Sequence, residues 1–389
     1  MTERLYYQDS YLAEFQARVV DSSPDRLRVY LDRTAFYPTS GGQPFDLGRL
    51  GDVEVAEVID EEDRIAHVLR APLAASEVAG RIDWQRRFDH MQQHTGQHLL
   101  SAVLVERFDA PTVSFHLGAG SSTIDVSRVL SEEQLRDAER RANQIVFENR
   151  PINVTYQHSS EDLDLRKPTE RTGLIRIVSI QDLDRSACGG THVRATGEIG
   201  AVLIRQLERV RGNLRIEFVC GMRAIGRAQA DFAALSQIAR VFSAPLDETP
   251  SLVETQREKL VEADRTRRKL ATELAQLRGR AVYADTPPGA DGIRRAMRRM
   301  EALSEDLRPE AQSFAEGSRA VFLAVGAHPP SILLAVSKDS GIHAGDLLKR
   351  ALTQAGGRGG GNAAMAQGSL PSPDALEAAA NTLQEALSF

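Results

Sequence analysis

The stretch HMQQHTGQHLLSAV, residues 90–103, sets three histidines at four-residue intervals: His90, His94 and His98. Residues 90–105 carry helical periodicity, so histidines at i and i+4 share one helix face and can grip a single ion. Two imidazoles are half of a tetrahedral zinc set. The other half is offered by SACGGTH (186–192), where Cys188 and His192 stand either side of a tight turn made by Gly189 and Gly190. A mixed nitrogen and sulfur set suits zinc better than magnesium or calcium, which prefer oxygen. Four protein ligands fit a structural ion, whereas a catalytic one keeps a position open; the spacing leaves both readings standing. His90 is either a partner orienting a ligand ring from one turn away or a polar residue at the helix start.

Outward from this helix, the pattern predicts an α+β protein in four parts. Residues 1–88 hold short alternating segments, such as FQARVV, RLRVYLD and DVEVAEVID, separated by turn clusters, which read as a small antiparallel sheet or β-barrel. Residues 89–222 read as a mixed α+β domain containing the zinc site. It has a second helix at 132–149 capped by Ser131 with Gln134 three residues on, then strands at INVTY, IRIVSI, AVLIRQL and LRIEFVC. Residues 223–284 are rich in Ala, Leu, Glu and Arg. Leu260, Ala263, Arg267, Leu270, Leu274, Leu277 and Ala281 follow a 3–4 spacing, giving a coiled-coil-like arm or a helical hairpin packed on its own domain. Residues 285–389 open with the breaker DTPPGAD and alternate helices with strands at RAVFLAV and SILLAVS, an α/β domain that also carries a glycine-rich loop, GGRGGG (356–361).

Composition bounds the class. No run approaches the roughly 18 apolar residues of a membrane span, and the first residues lack a signal peptide's apolar stretch, so a cytoplasmic protein without membrane partners is expected. Two cysteines, Cys188 and Cys220, are too few for a disulfide framework. The net charge is −6, yet residues 256–300 hold 12 Lys/Arg against 6 Asp/Glu. That local excess is either a phosphate-tracking face or a solvated helix balanced by its own acids.

HTGQHLL with SACGGTH resembles the editing domain of alanyl-tRNA synthetase and its free-standing relatives, the alanyl-tRNA editing (AlaX-type) proteins. RTAFYPTSGGQPFDLG (33–48) is similar to that family's glycine-rich loop, TVSFHLG and STIDV to its core strands, and GGRGGGNAAMAQG (356–368) to the DHHA1 domain. The similarity covers nearly the whole chain and begins at the editing module, as in the large free-standing subtype. It implies zinc-dependent hydrolysis of tRNA(Ala) mischarged with serine, and of the glycyl ester as a second candidate. His94, His98, Cys188 and His192 would be the metal ligands, with His94 and His98 counted also in the catalytic set. A polar site rejects an analogue lacking a hydroxyl far better than an apolar pocket does, which puts Thr34 and Gln43 forward as hydroxyl readers. Gly41 and Gly42 would let the backbone approach the terminal adenosine. His116 lines the pocket or packs in the sheet, Asp125 is a structural acceptor, Cys220 belongs to the core, and Arg358 is a candidate phosphate contact. A homodimer through the arm or the C-terminal domain would cover the leucine stripe. Two rivals are a non-catalytic tRNA-binding module with structural zinc, and a phosphodiesterase of the DHH superfamily. The sequence contains no Asp-His-His cluster for the latter.

Overall fold

The computed structural model describes residues 1–160 and 162–389, in two compact units, Met1–Ile238 and Ala239–Phe389. The first unit opens with β1 (Glu3–Arg4), β2 (Glu14–Ser22), β3 (Arg28–Leu31), β4 (Arg33–Thr34), β5 (Gly48–Leu50), β6 (Val53–Glu61), β7 (Arg64–Leu69) and β8 (Glu77–Ile82). Six of these close a barrel in the order β2-β3-β7-β6-β5-β8, while β1 and β4 pair beside it. Alternation along the strands points Phe15, Val29, Leu31, Val58, Ile65 and Val78 inward to one core. The small N-terminal barrel expected from the alternating segments is present.

Helix α1 (Trp84–Phe108) is longer than the 90–105 read from periodicity. It starts at an Asp83 cap, whose carboxylate accepts from Arg86 N–H at 3.1 Å. Residues 90–104 are almost all buried, polar ones included, so the helix runs through the unit rather than over it. A buried ion pair ties it to the barrel. Arg87 Nε donates to both oxygens of Asp46, at 3.0 and 3.1 Å, and Arg87 also donates to the carbonyls of Ser10 and Ala35. Asp46 in turn accepts from Tyr37 N–H at 2.6 Å. With both side chains fully buried, these bonds are what compensate the desolvation of the two charges.

Around α1 lie β9 (Thr112–Leu117), β10 (Ser122–Val126), α2 (Glu132–Glu148), β11 (Ile152–His158), β12 (Leu174–Ile180), β13 (Asp184–Ala187), β14 (Val202–Val210), β15 (Asn213–Cys220) and α3 (Gly221–Phe242). One sheet has the order β14-β15-β10-β9 and another the order β11-β12-β13. The capping box of Ser131 and Gln134 is formed as expected. Cys220 lies in the core with Leu99, Ile124 and Phe218. Asp125 is structural: it pairs with Arg215 at 2.7 Å and accepts from Ser114 Oγ.

The second unit contains α4 (Thr249–Asp285), β16 (Arg294–Met300), α5 (Leu307–Ala315), β17 (Ala320–Gly326), β18 (Ser331–Val336), α6 (Ala344–Gln354), β19 (Arg358–Gly361), β20 (Met365–Ser369) and α7 (Pro373–Leu387). The sheet order is β16-β17-β18-β20-β19. Val321, Leu323 and Val325 face α6 and α7, while Phe322 and Ala324 face α5, so β17 is buried on both sides.

Two expectations differ from the structure. GGRGGG is not a loop over its last four residues: 358–361 form the edge strand β19, paired with β20. A Cβ on Gly359 would lie 2.4 Å from Gly368 Cα and one on Gly361 2.1 Å from the Met365 carbonyl, so these two glycines serve close packing. Arg358 is exposed on this strand. The leucine stripe of α4 does not pack on its own domain either. Ala275 and Gly279 are its buried positions there, and Val282 and Tyr283 join Phe314 of α5, while Leu260, Leu270, Leu274 and Leu277 are 48–69% exposed. Many cations of 256–300 pair with acids one turn away, as Arg267 and Arg268 do with Asp264, which favours the self-balanced reading of that stretch.

Candidate metal centre

His94 and His98 project from the middle of α1. The hairpin of β12 and β13 delivers Cys188, and the turn beyond it returns His192. One potential ligand atom from each of the four residues lies within 4.8 Å of the others. Sγ of Cys188 stands 3.4 Å from Nε2 of His94 and 3.3 Å from Nε2 of His192. Tetrahedral zinc bonds to sulfur and nitrogen imply edges of about 3.5 Å between such atoms. The donor set and its spacing therefore fit a zinc-sized ion.

Each imidazole is held from behind. Gln43 Oε1 faces Nδ1 of His94 at 2.9 Å, Asp184 Oδ2 faces Nδ1 of His98 at 3.1 Å, and Thr95 Oγ1 faces Nδ1 of His192 at 3.2 Å. The donors follow from the partners. Asp184 can only accept, and Thr95 spends its own proton on the Met91 carbonyl. Gln43 donates through Nε2 to Thr191 Oγ1 and accepts Thr191 N–H on Oε1, which fixes its amide orientation. All three rings thus carry the proton on Nδ1 and aim Nε2 at the common centre. Arg176 clamps the turn by donating to the carbonyls of Cys188 and Gly190, at 2.7 and 3.0 Å. A Cβ on Gly190 would meet the His94 ring at 2.1 Å, so only glycine allows this approach.

Burial alone would push the Cys188 thiol up, but the neighbouring His94 and His192 hold it well below the ordinary thiol range. Burial would likewise raise Asp184, yet its hydrogen bond to His98 and the charge of Arg166 hold it below the usual carboxylate range. A thiolate and an anchored carboxylate next to imidazoles make an environment suited to a cation.

His94, His98 and Cys188 line the floor of a cavity of about 470 Å³, with His192 buried beneath them. Gly41 and Gly42, both in the left-handed region, line one wall with Tyr37 and Phe115. Other expected residues are not brought there. Gln43 is fully buried behind His94, with both amide groups engaged. Thr34 is held in the short β4 bridge: its hydroxyl faces His67 Nε2 at 2.9 Å and accepts from Phe36 N–H, away from the cavity wall. His116 is an exposed residue of β9 outside the wall. His90 is buried but not part of the ligand cluster. Residues passed over in the sequence supply the supports and one polar wall group: Thr95, Asp184, Thr191 and Gln97. Thr95 and Gln97 sit inside HTGQH itself, and Asp184 four residues before Cys188, close enough in sequence to be suspected.

Residues 175–217 match the family described as the threonyl and alanyl tRNA synthetase second additional domain, and residues 311–388 match the DHHA1 domain. The alanyl-tRNA editing protein AlaX-L of Pyrococcus horikoshii is 32% identical over 95% of this chain and 94% of its own length. The alanine–tRNA ligases of Pyrococcus abyssi and Thermococcus kodakarensis are each 33% identical over 94% and 99% of this chain. The chain spans only 42% and 44% of their lengths. Among solved structures, the C-Ala domain of Aquifex aeolicus alanyl-tRNA synthetase is 24% identical over 25% of this chain and 93% of that one, with a TM-score of 0.23. Among the described residues, no helix is long and apolar enough to cross a membrane. Near-full-length identity to AlaX-L, with both family domains in place, means that the chain belongs to the alanyl-tRNA editing (AlaX-type) family, in its large form with a C-terminal DHHA1 domain.

Proposed function

We propose that the protein is a trans-acting editor that hydrolyses the aminoacyl ester of tRNA(Ala) mischarged with serine, with glycine as a second substrate, at a zinc site in the cytoplasm. The observation that carries the reading is the convergence of His94, His98, Cys188 and His192, three of them anchored through Nδ1, with His94, His98 and Cys188 opening onto one cavity. A bound zinc ion would supply polarisation of the ester carbonyl or of a water, or a hold on the substrate amino group. The chain's own residues do the rest. Gln43, Asp184 and Thr95 keep the Nδ1 protons in place and so keep the rings from turning. Gly41 and Gly42 admit the terminal nucleoside, and Tyr37 and Phe115 give it an apolar wall.

An aminoacyl ester is already activated, so placement and modest charge stabilisation suffice. Discrimination then falls to polar groups in the wall. Gln97 is the best placed of these: its Nε2 donates to Ser101 Oγ at 2.8 Å, which leaves Oε1 to accept from a seryl hydroxyl. Thr34 acts at one remove in this reading, by holding the backbone at Phe36. Four protein ligands also suit a purely structural ion in a tRNA-binding protein. Timed hydrolysis of seryl-, glycyl- and alanyl-tRNA(Ala) by the purified protein separates the two. Fast loss of the seryl ester with the alanyl ester spared supports editing, and equal stability of all three esters rejects it.

The exposed leucine stripe of α4 has the spacing of a two-chain seam. A second copy of this chain is its proposed cover.

A further inference from the structure

Residues 166–171, between β11 and β12, close one side of the cavity, giving it Arg166, Lys167, Pro168, Thr169 and Arg171. Its cations differ in what they do. Arg166 Nε donates to Asp184 Oδ1 at 2.6 Å, and so supports the carboxylate that anchors His98. Lys167 and Arg171 are exposed, and their side chains have no hydrogen-bond or ion-pair partner among the described residues. Elsewhere in this unit arginines commonly find a carboxylate, as Arg4 does with Asp60, Arg64 with Asp21 and Arg107 with Asp137. Two unneutralised cations in one wall thus stand out by chemistry as well as by place.

The geometry of the proposed substrate says what they would meet. Its ester must reach the floor, and a cavity of about 470 Å³ suits one nucleoside with its acyl group rather than two nucleotides. The phosphodiesters on the 5′ side of that nucleoside must then lie at the mouth. Long Lys and Arg side chains with free donors match such an anion.

We propose that Lys167 and Arg171 form a clamp for the phosphates immediately 5′ of the terminal nucleoside, positioning the single-stranded end of the tRNA over the metal ligands. The assignment rests on the deacylase reading, but its test can be separated from it. The clamp binds uncharged RNA as well, so the probe is an acceptor-stem hairpin with a single-stranded CCA end, titrated by fluorescence anisotropy between 50 and 200 mM salt, roughly the range over which phosphate contacts respond strongly. The full-length protein is compared with Lys167→Ala/Arg171→Ala and with Lys167→Arg. The double variant should bind about tenfold or more weakly. Its slope of log K against log salt should be shallower by about 1.4, the value for two contacts to a single strand. Lys167→Arg should retain affinity within a few-fold.

On the seryl hairpin, the double variant should raise KM far more than it lowers kcat. The loss should be at least several-fold smaller on 3′-O-seryladenosine, which has no 5′ phosphate. An unchanged salt slope, or equal losses on the hairpin and on seryladenosine, overturns the clamp. If the hairpin results hold and no ester is hydrolysed by the wild type, the clamp stands and the deacylase reading falls. Rapid hydrolysis with an unchanged slope keeps the deacylase reading and removes the clamp.

Discussion

Gln43 Oε1 accepts the Nδ1 proton of His94 at 2.9 Å, and the same amide brackets Thr191 from both sides. The glutamine of the SGGQP loop therefore reaches across from the barrel to set the tautomer of a candidate metal ligand. Gln43→Ala should lower zinc affinity about 10–100-fold, the range for lost outer partners of a metal-bound histidine. Competition with a chromophoric chelator measures it. Unchanged affinity would free Gln43 from this role.

Gln97 offers the hydroxyl test. Gln97→Leu keeps most of the volume and removes the amide, so the seryl-over-alanyl rate ratio should fall by about 10-fold or more, as expected when a site's hydrogen bond to a hydroxyl is lost. Zinc content is measured alongside. A constant ratio with normal zinc would move discrimination to Thr112 or Ser114.

His67 gives a pH signature. Burial inside the barrel lowers its imidazole to about 4, although the Val29 carbonyl pulls the other way. The unfolded chain takes up a proton near 6.5, while the folded one keeps the ring neutral until about pH 4. Stability from this group is complete above 6.5 and declines as pH falls toward 4. Between about pH 7.5 and pH 5 the wild type should lose about 2 kcal/mol that His67→Gln does not. Urea unfolding at the two pH values checks this, and parallel losses in both proteins would contradict it.

The stripe on α4 predicts self-association. Leu270 and Leu274 are 58% and 48% exposed in the single chain. Replacing both with Glu should shift a concentration-dependent dimer to monomer in sedimentation velocity. A wild type that is monomeric at every concentration tested would leave the stripe without a second copy.

Much of the fold and of the metal centre is legible in the sequence for identifiable reasons. Alternation exposes the barrel strands, and Ser131 with Gln134 marks the start of α2. His94 and His98 of α1 and the Cys-Gly-Gly-Thr-His turn mark the candidate ligands. The supports are less visible because they are ordinary polar residues whose role depends on long-range approach: Gln43 reaches His94 across 51 positions, and Asp184 reaches His98 across 86. Periodicity also understates α1, since polar and apolar residues are buried alike around it. Thr34 looks accessible beside a glycine turn until β4 pairs with β1 and turns the hydroxyl to His67. The glycine run at 356–361 looks like a flexible loop because sequence cannot show that β20 and Leu352 lie against it.

If the four converging side chains hold the zinc on which seryl ester hydrolysis depends, removing the ion must abolish the reaction. The direct measurement is the deacylation rate of seryl-tRNA(Ala) by the full-length protein after chelation, then after adding back one equivalent of zinc or excess magnesium, with Cys188→Ala in parallel. Hydrolysis should be lost on chelation and recovered with zinc but not magnesium, and Cys188→Ala should show neither bound zinc nor activity. Full hydrolysis by folded, metal-free protein would contradict the zinc-dependent mechanism.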